Sequence, residues 1–204
     1  MDAYFDKMAS TFVEQPAAID NVGASIHYHN ITHDDMVNGE GLRVVLWVSG
    51  CSHHCEGCHN PQTWNPDSGI PFTLWDEAEF WEWLKKPWTQ GATFSGGDPL
   101  HMVNRQKIGE MIHTMKAKYP DKDIWLYTGY RLTDEFLFES ENDDSFSFQQ
   151  LKDIDVLVDG RFDCRIRAQD LSQKRKVLWR GSSNQRIVDV KASLSVGRVV
   201  EKEV

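Results

Sequence analysis

The sequence predicts an α/β domain with a mostly parallel sheet. Short apolar runs rich in β-branched and aromatic residues alternate along the chain with segments of helical periodicity. Most of these apolar runs stop at a glycine, where a strand gives way to a loop. Alternating strands and helices are typical of a parallel sheet covered by helices. The length of 204 residues is that of one domain.

The pattern divides the chain into three parts. Residues 1–30 show no steady periodicity, and we predict that they form an N-terminal extension. The α/β domain is predicted to span residues 31–187, and residues 188–204 to form a C-terminal tail or an added edge element. The first strand is predicted over residues 43–49, RVVLWVS, because this β-branched run follows the turn-like segment NGEG.

Two helices are predicted from their ends and their periodicity. The first covers residues 73–86, because Thr73 and Asp76 have the spacing of a capping box and Pro87 follows. The second covers residues 105–119 and stops at Pro120. The residues at helical intervals are Leu74, Ala78, Trp81 and Leu84 in the first helix, and Ile108, Met111, Ile112 and Met115 in the second.

Three more strands are predicted, over residues 91–99, 123–129 and 154–160, and each contains or ends at a glycine turn. Ligand sites in parallel α/β folds gather at the carboxyl ends of strands. The turns SGGDP, YTGY and VDGRF and the cysteine loop after the first strand are therefore expected on one rim. The acidic stretch 139–146 is predicted to be a solvated loop.

Composition excludes several classes of function. The formal net charge is −9 and no dense basic run is present, so a general nucleic-acid binder is not expected. No apolar run approaches the ~18 residues of a membrane-spanning helix, and the acidic N-terminus is unlike a secretory leader. Four cysteines in a three-plus-one arrangement do not suggest a disulfide framework, which favours a reduced, cytoplasmic compartment.

Three of the four cysteines, Cys51, Cys55 and Cys58, form a C-x3-C-x2-C loop directly after the first predicted strand. Gly50 and Gly57 relieve the backbone where the loop must turn sharply. Two interpretations fit this spacing. A structural zinc site would need a fourth ligand, such as His53, His54 or His59. A [4Fe–4S] cluster held by three thiolates would keep one iron open for a substrate.

The motifs together resemble a known family. C-x3-C-x2-C after the first strand, with SGGDP after a later one, resembles the radical S-adenosylmethionine enzymes. The segment DMVNGEGLRVVLWVSGCSHHCEGCHNPQTW resembles the entry to the glycyl-radical activating enzymes within that superfamily. SGGDPL, DIWLYTGY, VLVDGRF and LWRGSSNQR are similar to the group that activates anaerobic (class III) ribonucleoside-triphosphate reductases. The resemblance covers residues 33–187, and the segments outside it, together with the insert at 141–148, have no clear counterpart.

This resemblance implies a fold, a chemistry and partners. The fold would be a partial (β/α) TIM-like barrel of the radical S-adenosylmethionine type, over residues 31–187. The cofactors would be a [4Fe–4S] cluster and S-adenosylmethionine, which is reductively cleaved to a 5′-deoxyadenosyl radical. The substrate would be a glycine of the large subunit of anaerobic ribonucleoside-triphosphate reductase. Because sulfonium cleavage needs a low potential, flavodoxin or ferredoxin is implied as electron donor.

The resemblance also implies the site residues. The cluster ligands would be Cys51, Cys55 and Cys58. The turn Ser95, Gly96, Gly97 and Asp98 would hold the methionine amino group, since two glycines permit close backbone approach and a carboxylate accepts bonds from an ammonium. Gly57, Cys58 and His59 would lie near the adenine, and Thr128 and Gly129 near the ribose or methionine. No catalytic side chain is expected beyond the cluster and the nucleotide site.

Other candidates have ordinary explanations beside the functional ones. Arg180, Asn184 and Arg186 could donate to a carboxylate or to a partner's backbone, or could simply form a polar turn. His27, His29 and His33 lack a nearby carboxylate or cysteine at ligand spacing and favour a solvated strand or loop. Cys164 is expected to be a packed thiol. The alternative functions are activation of another glycyl-radical enzyme, such as pyruvate formate-lyase, and a non-catalytic, zinc-stabilised interaction module.

Overall fold

The computed structural model describes residues 26–133, 151–167 and 179–203. Within these ranges the chain forms a seven-stranded sheet and three α-helices. The strands are β1 (His27–Asp35), β2 (Leu42–Val48), β3 (Ile70–Pro71), β4 (Thr89–Gly96), β5 (Asp123–Thr128), β6 (Val156–Asp159) and β7 (Arg186–Asp189). The helices are α1 (Leu74–Leu84), α2 (Arg105–Lys118) and α3 (Val190–Val196). No helix in the described ranges is both long and apolar enough to cross a membrane.

The centre of the sheet is parallel and its flanks are antiparallel. The strand order is β3-β1-β2-β4-β5-β6-β7. Strands β2, β4, β5 and β6 pair in parallel, whereas β1, β3 and β7 join antiparallel. The predicted α/β class is therefore confirmed. Over the described residues the sheet stays open between β3 and β7, so the TIM-like barrel implied by the resemblance is not confirmed.

The parallel strands are those that the sequence predicts. The observed strands β2, β4, β5 and β6 fall within or within two residues of the predicted runs. The antiparallel strands were not predicted as such: β1 contains the histidine segment 27–33, β3 has only two residues, and β7 overlaps the predicted tail by two. The acidic loop 139–146 and residues 1–25 of the predicted extension lie outside the described residues.

Helices α1 and α2 cover one face of the sheet. The predicted face of α2 is confirmed, since Ile108, Met111, Ile112 and Met115 are fully buried. They pack in a cluster with alternate strand residues that point to the same side, among them Val44, Leu46, Phe94 and Leu126. We call this side the helix-covered face. Its burial of large apolar area supplies most of the stability of a domain of this size.

Helix α1 begins as predicted and packs through part of the predicted stripe. Thr73 and Asp76 form the capping box, in which the Thr73 backbone N–H donates to Asp76 Oδ2 at 2.6 Å. Phe80 and Leu84 are buried, and Trp81 packs against the same cluster. Leu74 is 78% exposed and Ala78 is exposed too, so the prediction is wrong for these two residues, because the helix reaches the core only from Phe80 onward.

The opposite side of the sheet, which we call the open face, carries polar and aromatic side chains. Arg43 is fully buried there. Its guanidinium donates to Thr93 Oγ1 at 2.7 Å and to the Ala92 carbonyl at 2.7 Å, and forms an ion pair with Asp123 at 2.6 Å. Burial lowers the pKa of Arg43, and the Asp123 carboxylate opposes that effect. Fixed polar bonds therefore fill this side around Arg43, next to a smaller apolar cluster of Trp125, Val156, Val158 and Ile187.

The two edges of the sheet are covered to different extents, since β3 pairs with β1 only at His27 and Tyr28. On one side β1 pairs with β3, whose second residue, Pro71, has no N–H to donate. On the other side Val188 in β7 forms an antiparallel bridge with Glu201. There the Asp189 N–H donates to the Val200 carbonyl at 2.9 Å, and the Lys202 N–H to the Ile187 carbonyl at 2.7 Å. Residues near the C-terminus thus lie along β7 rather than apart from the fold.

Candidate functional site

A cavity of about 380 Å³ opens at the carboxyl ends of the parallel strands, on the open face. Its position is the one where open α/β sheets bind ligands, and its volume is that of a small-molecule site. The predicted site residues that line it are Cys51, Cys55, Cys58, His59, Ser95, Gly96, Gly97, Asp98, Thr128 and Gly129. Among the predicted set, only Gly57 is absent from the wall. Segments more than seventy residues apart in sequence thus meet in one place.

The cysteine loop leaves β2 through a sharp turn. Gly50 has φ +97°, a conformation that side chains disfavour, and its N–H donates to the Thr63 carbonyl at 2.7 Å. The Cys51 N–H donates to the Trp64 carbonyl at 3.0 Å, and the Cys58 N–H to the Cys55 carbonyl at 3.1 Å. Backbone bonds within the chain therefore set the path of the loop.

The three thiols of the loop are free and partly buried. All three cysteines line the same cavity. Burial raises the pKa of the Cys51 thiol. The Asn60 N–H lies 3.3 Å from Cys58 Sγ, which is the kind of hydrogen bond that stabilises a thiolate ligand. The donor set suits soft metals and iron–sulfur clusters.

The glycines of the SGGDP turn make room for protein. A Cβ at Gly96 would lie 2.7 Å from the Val48 backbone, and one at Gly97 would lie 2.6 Å from the Gly50 carbonyl oxygen. The Gly97 N–H donates to the Val48 carbonyl at 2.7 Å, and the Asp98 N–H to the Gly50 carbonyl at 2.8 Å. The turn is thereby fastened directly onto the start of the cysteine loop. The sequence predicted close approach here, but to a ligand.

Asp98 is 1% exposed and accepts hydrogen bonds from four groups. Oδ1 accepts from the Leu100 N–H at 2.9 Å, and the Thr128 hydroxyl lies 3.0 Å from both oxygens. Oδ2 also accepts from the Gly129 N–H at 3.0 Å and from His53 Nε2 at 2.9 Å. This single carboxylate joins the glycine turn, the end of β5 and the cysteine loop.

His53 fits against the end of β5. A Cβ at Gly129 would lie 2.2 Å from the His53 ring, so only glycine leaves space for it. Tyr130 packs on the other side, with the ring centroids 4.6 Å apart. Arg161, which follows β6, donates to the His53 carbonyl. The sequence identified His53 only as a possible zinc ligand.

Gly57 faces away from the cavity. With φ +68°, it packs so closely on the 3-10 turn Cys164–Ile166 that a Cβ would lie 2.9 Å from Cys164 Cβ. Cys164 is partly buried and does not line the cavity. His59 does line it and packs on Phe162 with ring centroids 5.0 Å apart. The separation of Cys164 from the other cysteines in the sequence does not predict that it lies behind the loop.

The segment LWRGSSNQR has mixed roles. Arg186 forms a buried ion pair with Asp159, with its Nε 2.9 Å from Oδ1. Asn184 donates to the Arg161 carbonyl at 2.8 Å. Both therefore serve the fold, and a direct role toward a carboxylate ligand is not supported for them. Arg180 lines the cavity and donates from Nη1 to the Gln185 carbonyl at 2.9 Å.

Polar side chains also belong to the cavity wall. Trp64 and Arg180 line it, and among the described residues neither Trp64 Nε1 nor Arg180 Nε has a hydrogen-bond partner. Buried polar atoms are nearly always paired, and an unpaired one costs about 1–3 kcal/mol. Both atoms are shielded even from water, so the cavity as it stands does not present them to a ligand.

The sequence did not identify the aromatic walls of the cavity. Trp47 in β2 and Tyr127 in β5 point to the open face because side chains alternate along a strand. The Tyr127 hydroxyl donates to the Trp179 carbonyl at 2.8 Å, and burial raises the Tyr127 pKa. Period-two alternation was the available signal, but it does not show which face carries a site.

The histidine segment of β1 lies elsewhere. His29 Nε2 is 3.1 Å from Ser68 Oγ, and His33 stacks on Trp83 with ring centroids 3.4 Å apart. None of its histidines lines the cavity. In the described part of the chain, no three His, Cys, Asp or Glu side chains converge as ligands of one metal ion. The histidines of the cysteine loop are also engaged with protein groups: His53 with Asp98, and His54 with Trp64 at 4.9 Å between ring centroids.

Comparison with known proteins identifies the family to which the chain belongs. The protein family described as "4Fe-4S single cluster domain" matches residues 37–188. The chain is 42% identical over 162 residues to the anaerobic ribonucleoside-triphosphate reductase-activating protein of Enterobacteria phage T4, covering 79% of this chain and 93% of that one. It is 42% identical to the protein of that name from Escherichia coli K12 and 43% identical to the one from Salmonella typhi, each over 78% of this chain and 96% of the relative. The chain belongs to the 4Fe–4S single-cluster family and, within it, to the anaerobic ribonucleoside-triphosphate reductase-activating proteins.

Proposed function

We propose that this protein activates an anaerobic ribonucleoside-triphosphate reductase by generating a glycyl radical on it. A bound and reduced [4Fe–4S] cluster would supply one electron that cleaves S-adenosylmethionine to methionine and a 5′-deoxyadenosyl radical, which takes a hydrogen atom from a glycine of the reductase. The observation that carries this proposal is that three free cysteines and the SGGDP turn line one cavity. The relatives are named for activating that reductase.

The protein's own residues would bind the cofactors and exclude water. Cys51, Cys55 and Cys58 would ligate three irons and leave the fourth for the nucleotide. The remaining contacts implied by the resemblance are at Ser95, Gly96, Gly97, Asp98, Thr128, Gly129, Gly57 and His59. Of these, Gly57 and the Asp98 carboxylate are already engaged with protein groups.

The open sheet gives a physical reason why a macromolecule could be the substrate. A glycine in a loop of a large protein must approach the cavity closely enough for direct hydrogen-atom transfer. The open sheet leaves the cavity beside it accessible in the described residues. The electron donor proposed here is a low-potential protein such as flavodoxin or ferredoxin, because cleaving a sulfonium requires the low end of the iron–sulfur range.

The proposal can be tested by anaerobic reconstitution with iron and sulfide. The wild-type protein should bind one [4Fe–4S] cluster per chain and, with dithionite and S-adenosylmethionine, release methionine and 5′-deoxyadenosine. Cys58→Ala should lose the cluster-dependent cleavage. Cys164→Ala is the matched control, because Cys164 is also partly buried but lies outside the cavity. A colourless wild-type protein that instead holds stoichiometric zinc would contradict the proposal.

The partner can be identified separately. Mixing the reconstituted protein with an anaerobic ribonucleotide reductase or with pyruvate formate-lyase, followed by electron paramagnetic resonance, should give a glycyl-radical doublet only with the former. The identities of 42–43% to reductase-activating proteins favour the former. A doublet only with pyruvate formate-lyase would reassign the partner without changing the chemistry.

A further inference from the structure

We propose that Asp98 and His53 are positioning residues that fix the cysteine loop against the nucleotide side of the cavity before any cofactor binds. This inference rests on the proposed function, and it assigns Asp98 a role other than that of a direct ligand for an ammonium group. The two residues are part of a set that we call the Asp98 network: Asp98, His53, Thr128, Gly129 and Leu100.

The first observation is that the Asp98 carboxylate has no acceptor site left. A carboxylate offers about four lone-pair directions. The Asp98 carboxylate accepts from two backbone N–H groups, one hydroxyl and one imidazole, with all distances between 2.9 and 3.0 Å. A ligand ammonium would have to displace one of these donors. Displacing a buried backbone donor would leave it unpaired, which is costly.

The second observation is that His53 is held at three points. Its ring donates to Asp98, packs against the surface left free by the missing side chain at Gly129, and contacts Tyr130. Its backbone carbonyl accepts from Arg161. The His53 side chain is only 12% exposed, so the ring is enclosed by these contacts. A residue held in this way between Cys51 and Cys55 restricts where both sulfurs can lie.

The third observation is that the network joins the ends of two strands to the cysteine loop, and that Arg161 connects a third strand end to the loop through the His53 carbonyl. Asp98 follows β4, Thr128 and Gly129 end β5, and Arg161 follows β6. The three ligands lie on the loop, whereas part of the nucleotide wall lies on the strand ends. The relative placement of cluster and nucleotide therefore depends on the Asp98–His53 link. Such supporting contacts around metal ligands typically contribute 10–100-fold to affinity or activity.

The test uses His53→Ala, Asp98→Asn and the conservative variant His53→Gln, whose amide can still donate to Asp98. The matched control is His54→Asn, a change at the neighbouring histidine, which is exposed and lies outside both the network and the cavity. Asn tolerates the positive φ of +46° at this position. Each reconstituted protein is assayed for iron and sulfide content and for S-adenosylmethionine affinity. The third measurement is the change that S-adenosylmethionine causes in the electron paramagnetic resonance spectrum of the reduced cluster.

We expect His53→Ala and Asp98→Asn to bind S-adenosylmethionine about tenfold or more weakly, as loss of a charge-assisted hydrogen bond predicts. In both variants, the change in the cluster's spectrum on adding the nucleotide should differ from that in the wild type. His53→Gln should recover part of the affinity. His54→Asn should match the wild type in affinity and spectrum. A second readout needs no cofactor. In the metal-free protein, alkylation of Cys51 and Cys55 should be several-fold faster in His53→Ala than in His54→Asn.

The outcomes separate this inference from the proposed function. If the wild type binds cluster and nucleotide, but His53→Ala and Asp98→Asn behave like His54→Asn in affinity, spectrum and alkylation, the inference is wrong and the proposed function stands. If the wild type binds neither cofactor, the proposed function fails. The alkylation rates then still decide whether the Asp98 network holds the loop. If His53→Ala does not fold, the nucleotide affinities and alkylation rates of Asp98→Asn and His53→Gln are compared with those of His54→Asn. Equal values in all three variants would then show that the inference is wrong.

Discussion

The two faces of the sheet are built from the same strands but in opposite ways. Along β5, Leu126 points into the hydrocarbon of the helix-covered face, while its neighbour Tyr127 points to the open face and lines the cavity. The helix-covered face is held by non-directional packing. The open face combines a smaller apolar cluster around Trp125 with hydrogen bonds to specific atoms, and it carries the cavity. Stability and ligand binding are therefore largely separated across the thickness of one sheet.

The separation is sharpest at the cysteine loop. Cys58→Ala should abolish S-adenosylmethionine cleavage, because only two thiolates would remain on the cavity wall. The free energy of unfolding of the metal-free protein should change by less than about 1 kcal/mol, since the thiol is only partly buried. Cleavage assays and urea denaturation measure the two quantities. Unfolding of the metal-free variant would show instead that the loop is part of the core.

Arg43 is an exception to this separation, because it lies on the open face and yet should contribute mainly to the free energy of unfolding. Arg43→Leu would leave the Asp123 carboxylate without its partner and the Ala92 carbonyl and Thr93 hydroxyl without a donor. We expect a loss of about 4 kcal/mol in the free energy of unfolding, as for other broken buried ion pairs. Urea denaturation measures it. Arg43→Lys should recover only part, since an ammonium lacks the planar fork. A variant as stable as the wild type would show that burial of this charge has no net structural role.

Leu126→Ala tests the helix-covered face alone. Leu126 is fully buried, so we expect a loss of about 3 kcal/mol in the free energy of unfolding from lost burial and an unfilled cavity. At temperatures where the variant stays folded, iron content and the Km for S-adenosylmethionine should equal those of the wild type. Tyr127→Phe, one residue away, keeps the ring on the cavity wall and removes only the hydroxyl that donates to the Trp179 carbonyl, so it should lower stability slightly and leave nucleotide binding unchanged. A raised Km in Leu126→Ala would mean that the faces are coupled.

The smallest effect concerns the amino ends of the strands, far from the cavity. Burial alone would raise the pKa of Asp155, but hydrogen bonds from Lys116 and Lys191 lower it below its ordinary value of 3.8. Because the folded-state pKa is the lower one, this contribution is complete above about pH 4 and is lost as the pH falls further. Asp155→Asn should lower the free energy of unfolding by about 1 kcal/mol at pH 6.

The difference between Asp155→Asn and the wild type should shrink as the pH falls below about 4, while both remain folded. Urea midpoints measured from pH 6 downward would show it. A difference that stays constant with pH would assign the effect to the neutral hydrogen bond with the Ile124 N–H rather than to charge.

The sequence predicted the parallel half of the fold and the place of the site. The β-branched runs fixed β2, β4, β5 and β6, and glycine turns at their ends placed the site residues on one rim. It could not predict β1, β3 and β7, because short or polar edge strands owe their structure to pairing rather than to their own pattern. It also could not distinguish a ligand contact from an internal one: Asp98 and Arg186 look like donors and acceptors for a substrate, yet both face protein groups.

The covering of β7 by residues 200–202 has a consequence for how copies of the chain meet. An uncovered edge strand is a template for strand addition by a second molecule, and proteins that leave one bare are prone to aggregate. A truncation after Arg198 would expose the Asp189 N–H and the Ile187 carbonyl. A second molecule could then pair with β7 and the protein would aggregate more readily. Residues 200–202 would therefore contribute to solubility by covering β7, a role separate from the chemistry of the cavity.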